Sequence, residues 1–362
     1  MRTSDLPVID CPAEPRERGR VHGETLRAVI GEKIGRWHEA IDVAYGASSE
    51  IFLPRFLAGT DFRSAIARHA PDLLEEVAGI AEGADIDAET VYAMQLMDEE
   101  WWFGKSRGDG HCSSLAMAPT GDGPTMVGQT MDLPRWHEGA QALLRITEMD
   151  GSETMVFTSA GMVGLNGVSG RGLGICVNTL AQLGVSPKGL PVAFVMRRAL
   201  ARGSVAGAAG FLRSVGHASG QNYQLGDRYG IATLECSAGG AAVLEIEGGR
   251  SLHTNHPLVS RDALSPDIPL HGSDNSRARL ESLRADLAPS EKAVVDVEAV
   301  KTALSACRAG GEVSIEPSPS SPVTEATTFG AMVCEIGDAV ELSISAGPPS
   351  TESWRSFTLR SA

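Results

Sequence analysis

The sequence predicts an α+β protein, on three observations. Apolar residues recur at helical spacing before Cys112, short β-like runs separated by glycine turns follow it, and pairs of helical segments interrupt those runs. Residues 7–11 read as a short strand. Leu26, Ile30, Ile34, Trp37 and Ile41, at steps of three and four, mark the apolar face of a long helix despite Gly31 and Gly35. Its polar entry, residues 14–24, reads as a solvated first turn, His22 included. Leu73, Leu74, Val77 and Ile80 mark a helix after Pro71, and Asp87 is placed to cap one running through Val91, Met94, Leu96 and Met97 to Trp101. The run Asp98-Glu99-Glu100-Trp101-Trp102 has the chemistry of an amine pocket. A helix end with one wet and one buried face explains it more simply, and no site is assigned to it.

Residues 112–118, 125–132, 142–148 and 154–159 read as a meander of antiparallel strands, with turns at Gly121-Asp122-Gly123-Pro124 and Asp150-Gly151-Ser152. Glycine-rich turns at 164–167 and 170–174 lead to a buried strand at 175–180. Helices are expected at 192–201 and 205–215, strands at 221–225, 231–236 and 242–247, and helices again at 276–288 and 297–307. The Ser/Pro-rich block 314–322 reads as a surface loop, and strands at 328–334, 340–345 and 354–359 close the chain.

With 362 residues, 42% hydrophobic and 21% charged, the chain can bury a large core, and we read it as one domain. A net charge of −15 repels nucleic acid and anionic membranes, so the expected partner is a small-molecule substrate. The first residues lack the apolar run of a signal peptide, and no eighteen-residue apolar run follows, which gives a cytoplasmic reading without a membrane span. The six cysteines lie far apart, without a C-x-x-C pair or histidines at ligand spacing. Neither a zinc site nor a disulfide framework is indicated, no cofactor is expected, and five of the cysteines are expected to be buried apolar residues. The oligomeric state stays open, and a homo-oligomer is compatible with the sequence.

Cys112 lies at the seam where helical texture gives way to strands, within Asp109-Gly110-His111-Cys112-Ser113-Ser114-Leu115-Ala116. An unplaced cysteine is more often core than nucleophile. The glycine approach, the polar Ser113 and Ser114 and the position at the seam favour a nucleophile at a new N-terminus. A thiol titrates near ~8.5 and an α-amine near ~7.7–8.0, so a terminal Cys112 carries its own base. Attack of its thiol on the His111 carbonyl, an N-to-S acyl shift and hydrolysis would yield fragments 1–111 and 112–362. A strand, a tight turn and a returning strand would bring Asp132 to the same end, where a carboxylate can orient the new amine.

The pattern D-G-H-C-S-S-x-A, a Gly-Asp turn and then Gly128-Gln129-Thr130-Met131-Asp132 resembles the acyl-coenzyme A:6-aminopenicillanic acid acyltransferase family, relatives of the choloylglycine hydrolases. Arg18-Gly19-Arg20-Val21-His22-Gly23-Glu24 resembles that family's R-G-x-x-H-G-E opening, and Ala346-Gly347-Pro348-Pro349 its closing strand and turn. The resemblance spans about Arg18 to Pro349. It implies a self-cleaving N-terminal-nucleophile hydrolase whose αββα sandwich stacks two antiparallel sheets between helix layers.

The same resemblance assigns roles. Asn255, in Thr254-Asn255-His256-Pro257, implies an oxyanion donor. Asn178, in Val177-Asn178-Thr179, matches a position whose backbone and side chain face the reacting carbonyl. Arg277, in Asn275-Ser276-Arg277-Ala278-Arg279, matches an arginine that steadies the thiolate, with Arg279 in reserve, and Asn222 matches a pattern we assign to structure. Three departures stand out. His111 precedes the nucleophile where penicillin acyltransferases have glycine. Gln129 replaces an arginine of the choloylglycine hydrolases, which argues against bile salts. The loop 310–322 holds no arginine or lysine, which argues against β-lactam acylation. The implied activity is cleavage of a linear amide through an acyl-thioester on Cys112, ending on water or an acceptor amine. Two alternatives stay open: an unprocessed thiol hydrolase using His256 or His253 as base, and a cleavage-deficient binding protein with an inert Cys112.

Overall fold

The computed structural model describes residues 6–105, 111–121, 123–288, 295–318 and 320–361. Asp109, Gly110 and Asp122, which the sequence placed in the approach to Cys112 and in a turn, lie outside the described residues. The chain opens with β1 (Val8–Cys11), α1 (Pro15–Thr25), α2 (Arg27–Tyr45), α3 (Ser49–Ala58), α4 (Phe62–His69), α5 (Pro71–Ala84), α6 (Ala88–Met94) and α7 (Met97–Phe103).

The polar entry is a helix of its own, solvated at Arg16, Arg20 and Glu24 as expected but buried along the face of Arg18, Gly19, His22 and Gly23. The Glu14 carboxylate caps α1 by accepting the Arg16 and Glu17 N–H groups, and Pro15 supplies a fixed φ at its start. Gly19 and Gly23 on α1 face Gly79 and Gly83 on α5. A Cβ at Gly19 would lie 1.9 Å from the Glu76 carbonyl oxygen, and one at Gly79 would lie 2.0 Å from that of Arg16. Only glycine permits this approach. His22 is consequently buried, and its Nε2 accepts the Gly161 N–H at 2.9 Å. The R-G-x-x-H-G-E stretch is thus a packing device. The helix expected from Val91 to Trp101 divides into α6 and α7 at Gln95, whose side chain donates to Val91 O and Gly161 O and accepts the Val163 N–H.

The remainder comprises β2 (Ser113–Met117), β3 (Thr125–Pro134), β4 (Gln141–Thr147), β5 (Glu153–Ser159), β6 (Asn166–Ser169), β7 (Leu173–Thr179), α8 (Val192–Leu200), α9 (Val205–Ser214), β8 (Gln221–Asp227), β9 (Gly230–Ser237) and β10 (Gly240–Leu244). It ends with β11 (Arg250–His253), α10 (Asp274–Asp286), α11 (Val297–Leu304), β12 (Ala326–Ile336), β13 (Val340–Ala346) and β14 (Arg355–Leu359). An eight-stranded sheet runs β1-β4-β5-β6-β7-β8-β9-β10, and a six-stranded sheet runs β11-β2-β3-β12-β13-β14. Every pairing is antiparallel except β1 with β4.

The sheets stack face to face. A Cβ at Gly226 of β8 would strike Val127 of β3, and one at Gly330 of β12 would strike Phe157 of β5. Helices α8 and α9 cover the larger sheet, while Leu283 and Leu287 of the α10 region and Val300, Ala303 and Leu304 of α11 close a second core over Leu115, Met126 and Val333 of the smaller one. The architecture is αββα.

The predicted single meander is corrected. β2 and β3 belong to the small sheet and β4 and β5 to the large one, with the crossover at the 3₁₀ turn Arg135–His137. Both hairpins have the same alternating texture, which carries no label for sheet membership. α3, α4, β6 and β11 also went unpredicted, β6 because its glycines read as turn. Cys11, Cys176, Cys236 and Cys334 are buried as expected, whereas Cys307 is exposed, and all six thiols are free. Among the described residues no helix is long and apolar enough to cross a membrane.

Candidate active site

Cys112 precedes β2 by one residue and is buried. Ser113 lies opposite Thr130 in the β2–β3 register, so Cys112 and Asp132 share one end of that hairpin. β12 flanks β3 on its other side and places Thr328 opposite Asp132, and the Thr328 hydroxyl donates to Asp132 Oδ1 at 2.5 Å. Asp132 Oδ2 is buried with no hydrogen-bond partner among the described residues. Burial raises this carboxyl to about 7, against the opposing pull of Thr328 and Arg279. Burial, followed by the Asp132 charge, pushes the Cys112 thiol up to about 12, while an Asp132 backbone hydrogen bond and Arg279 act in the other direction.

The arginine that reaches Cys112 is Arg279, not Arg277. The two lie two residues apart on α10, roughly 200° around the helix, so only one can face the core. Arg277 is turned to the surface, bonding Asp274, His271 and the Gly272 carbonyl. Arg279 is fully buried. Its Nη1 donates to the carbonyl oxygens of His111 and Cys112, each at 2.7 Å, and to Ser113 Oγ at 2.9 Å. Its Nη2 donates to Asn255 Oδ1 at 3.0 Å, and its Nε to Asn275 Oδ1 at 2.7 Å. The His111 ring faces the same Asn275 oxygen through Nδ1 at 3.3 Å.

Asn255 is fixed at both ends of its amide: Arg279 holds Oδ1, and Nδ2 donates to Thr179 O at 3.0 Å. An amide nitrogen carries two hydrogens, so one donor is left after that bond. The loop carrying Asn255 is anchored by Glu235, which accepts the Leu258, Val259 and Ser260 N–H groups and pairs with His253 Nε2 at 2.9 Å. His253 Nδ1 faces Thr254 O, and His256 Nδ1 faces Ser276 Oγ at 2.8 Å. Burial depresses His256 to about 4. The hydrogen bonds of both rings hold the loop, and none is directed to Cys112.

Asn178 lies on β7 in the same alternation series as Gly174, whose Cβ would meet Val127 of β3, so its side chain points between the two sheets, where Ser114 of β2 lies. There its Oδ1 accepts from Ser114 Oγ at 2.5 Å and Asn222 Nδ2 at 2.9 Å, and its Nδ2 has no partner among the described residues. Gln129 is buried against β7: Nε2 donates to Val177 O, and Oε1 accepts from Asn166 at 3.2 Å. It joins the sheets rather than facing the cavity.

A family model described as acyl-coenzyme A:6-aminopenicillanic acid acyl-transferase matches residues 120–308, more than half of the chain. The chain belongs to this family. The matched stretch contains Asp132, Asn178, Asn255 and Arg279, and begins just after Cys112. Among solved structures, a mutant of the conjugated bile acid hydrolase from Clostridium perfringens is similar with a TM-score of 0.49 and 14% identity, over 68% of this chain and 92% of that one. An N-acylethanolamine-hydrolyzing acid amidase ortholog from Caenorhabditis elegans gives 0.44 and 13%, over 67% and 95%. Penicillin V acylase from Agrobacterium tumefaciens gives 0.42 and 16%, over 65% and 83%.

The cavity at Cys112 is small, about 40 Å³, and mostly apolar: Met97, Met131, Leu133, Met162, Leu165 and Met196 contribute to its wall. Gln95, Asp98, Thr179 and Gln221 are polar residues of its wall. Asp98, to which the sequence assigns no site, is buried, and its Oδ2 accepts from Thr179 Oγ1 at 2.7 Å and Gln221 Nε2 at 2.6 Å. Burial raises Asp98, and burial together with the Asp98 charge raises Glu99 to about 8. Its position beside tryptophans was the only sequence signal for Asp98. Thr328 and Gln221 carried no such signal.

Proposed function

We propose that this chain is a self-processing cysteine amidohydrolase or acyltransferase acting on small N-acyl compounds. One observation carries the reading: the Arg279 guanidinium donates to the carbonyl oxygen of His111, the bond partner that Cys112 must attack to free its own amine. Attack of Sγ on that carbon puts negative charge on that oxygen, and a buried guanidinium stabilises such charge. The tetrahedral adduct collapses by breaking the His111–Cys112 C–N bond and protonating the Cys112 nitrogen. Water then hydrolyses the thioester, leaving fragments 1–111 and 112–362.

In the processed protein the new amine takes the thiol proton and Asp132 Oδ2 accepts a hydrogen bond from that amine, which suits a buried carboxylate oxygen without another partner. The thiolate attacks the substrate amide carbon, and the remaining Asn255 Nδ2 hydrogen serves the oxyanion. The amine leaves with the shuttled proton, and the acyl-thioester passes to water or to an acceptor amine. Asn178 acts as a positioning residue through Ser114, and Arg279 takes the role that the resemblance gave to Arg277.

Intact mass and a denaturing gel of purified protein test this. Two fragments with Cys112 at the second N-terminus, absent in Cys112→Ala, are the expected result. A single chain that hydrolyses amides and loses activity on His256→Ala or His253→Ala would establish an unprocessed thiol hydrolase instead. A single chain inert to thiol reagents at Cys112 would establish a binding protein.

A further inference from the structure

Two cavities meet at Asp98. One is the Cys112 pocket. The other, about 250 Å³, is bounded by Trp101, Trp102, Leu264 and Ile268, and Asp98 and Thr179 line both. Asp98 is only 6% exposed, and its two hydrogen bonds both fall on Oδ2. Oδ1 has no hydrogen-bond partner among the described residues. Gln221, 1% exposed, lines the Cys112 pocket as well. Its Nε2 donates to Asp98 and to Ser219 Oγ, which sets the amide orientation because a carboxylate needs a donor, and its Oε1 is buried without a partner.

The wall therefore holds one buried acceptor without a donor, Gln221 Oε1, beside a carboxylate whose hydrogen bonds fall on a single oxygen. Among the described residues no arginine or lysine is found among the groups acting on Asp98 or its neighbour Glu99. Buried acceptors are normally satisfied, and a buried carboxylate is normally paired with a cation or held neutral. The group that completes this wall carries N–H donors and positive charge, and Trp101 and Trp102, which line the adjoining cavity, are the side-chain type that attracts such a charge. Lys105, which also lines the outer cavity, is exposed.

After the amine departs, the acyl group stays on Cys112, so the acyl side of the substrate occupies the pocket walled by Asp98. The Cys112 pocket alone holds only a few water molecules. A longer acyl chain must run past Asp98 into the tryptophan-walled cavity. We propose that Asp98, with Gln221, recognises an ammonium group on the acyl part of the substrate, so that the preferred substrates are amides of amino-substituted acids rather than of plain fatty acids. This rests on the nucleophilic role of Cys112 proposed above.

Binding of n-butylammonium, 1-butanol and butanoate to the purified protein, measured by calorimetry at neutral pH, tests recognition without requiring turnover. Butylammonium is expected to bind at least tenfold more tightly than either of the others, and Asp98→Asn is expected to erase that preference. Trp101→Ala, on the wall of the outer cavity, is expected to weaken butylammonium severalfold more than butanol. Equal binding of the three probes, tighter binding of butanoate, no binding at all, or a preference that survives Asp98→Asn would each overturn the assignment. The wild-type comparison stands even where a variant fails to fold. Fragment masses report separately on Cys112, so a protein that cleaves itself but shows no ammonium preference loses this inference and keeps the proposed function.

Discussion

Two buried acidic regions of this molecule are built in opposite ways. On α5, Glu76 is fully buried between Arg18 on α1 and Arg197 on α8, with charge-assisted bonds of 2.8 to 2.9 Å to both. Burial works to raise its carboxyl, but Arg197 and Arg18 outweigh it and hold Glu76 below the ordinary carboxylate range. Around Cys112, Asp132, Asp98 and Glu99 are equally buried, receive hydroxyl, amide and backbone donors rather than ion pairs, and are raised instead. The contrast is instructive: where the fold needs an acid only as a tie between helices, it completes the charge, and where Cys112 lies, it leaves carboxylate oxygens open.

The largest effect should fall on the open side. Cys112→Ala is expected to abolish fragment formation and to lower amide turnover by at least ~10⁴-fold, as removal of a covalent nucleophile does. A residual rate above that level, measured with a chromogenic amide, would place the chemistry elsewhere. On the closed side, Glu76→Ala leaves two buried arginines without their acid and should destabilise the fold by about 3–5 kcal/mol in urea titrations, with fragment masses unchanged. If it blocked cleavage without affecting stability, the division between tie and site would fail.

Arg279 sharpens the comparison because it is the cation of the open region. Arg279→Lys should slow self-cleavage by roughly 10²–10³-fold, the cost of losing an aimed oxyanion donor, and Arg277→Lys should change it less than about threefold. Time courses of fragment appearance after denatured precursor is refolded would rank the two.

Two pH experiments complete the series. In the proposed mechanism Asp132 is ionised to hold the amine; burial raises it to about 7 in the uncleaved chain and the new ammonium pulls it back down, so kcat/KM should climb about tenfold per pH unit on an acid limb at or below that value and level off above it. Asp132→Asn should remove the limb, and an unchanged profile would assign the limb to another group. The smallest effect concerns stability. Glu99 binds its proton more tightly folded than unfolded, so its contribution falls as pH rises from the ordinary 4.5 to about 8, with a slope approaching ~1.4 kcal/mol per pH unit. Glu76 has the opposite sign: its contribution is present at neutral pH and is lost as pH falls through its depressed value. Glu99→Gln should flatten the neutral-pH slope and leave the acid limb, as read by thermal melts across pH.

The elements that could be read in the chain are those whose signal is local. The helical period of Leu26 to Ile41 and the alternation after Cys112 gave most helices and strands within a few residues, and the hairpin spacing put Asp132 at the end of the strand pair that holds Cys112. Long-range relations were not legible. His22 read as solvated because its burial depends on glycines sixty residues later, and Arg277 was chosen over Arg279 because a helix's phase relative to the core is not written in a short motif. Asp98 was passed over because an acid beside tryptophans looks the same whether its far side meets water or a second cavity.

By itself, then, the sequence determined most of the secondary structure, the seam at Cys112 and the acid that returns to its end of the hairpin, since periodicity, turn residues and strand spacing act over a few residues. The tertiary structure alone decided which sheet each hairpin joined, which arginine met the His111 carbonyl and which buried acids acquired cations. Those outcomes depend on the packing of segments remote in the chain, where the loss of water makes every charge and every unpaired oxygen answer to whatever neighbour the fold supplies.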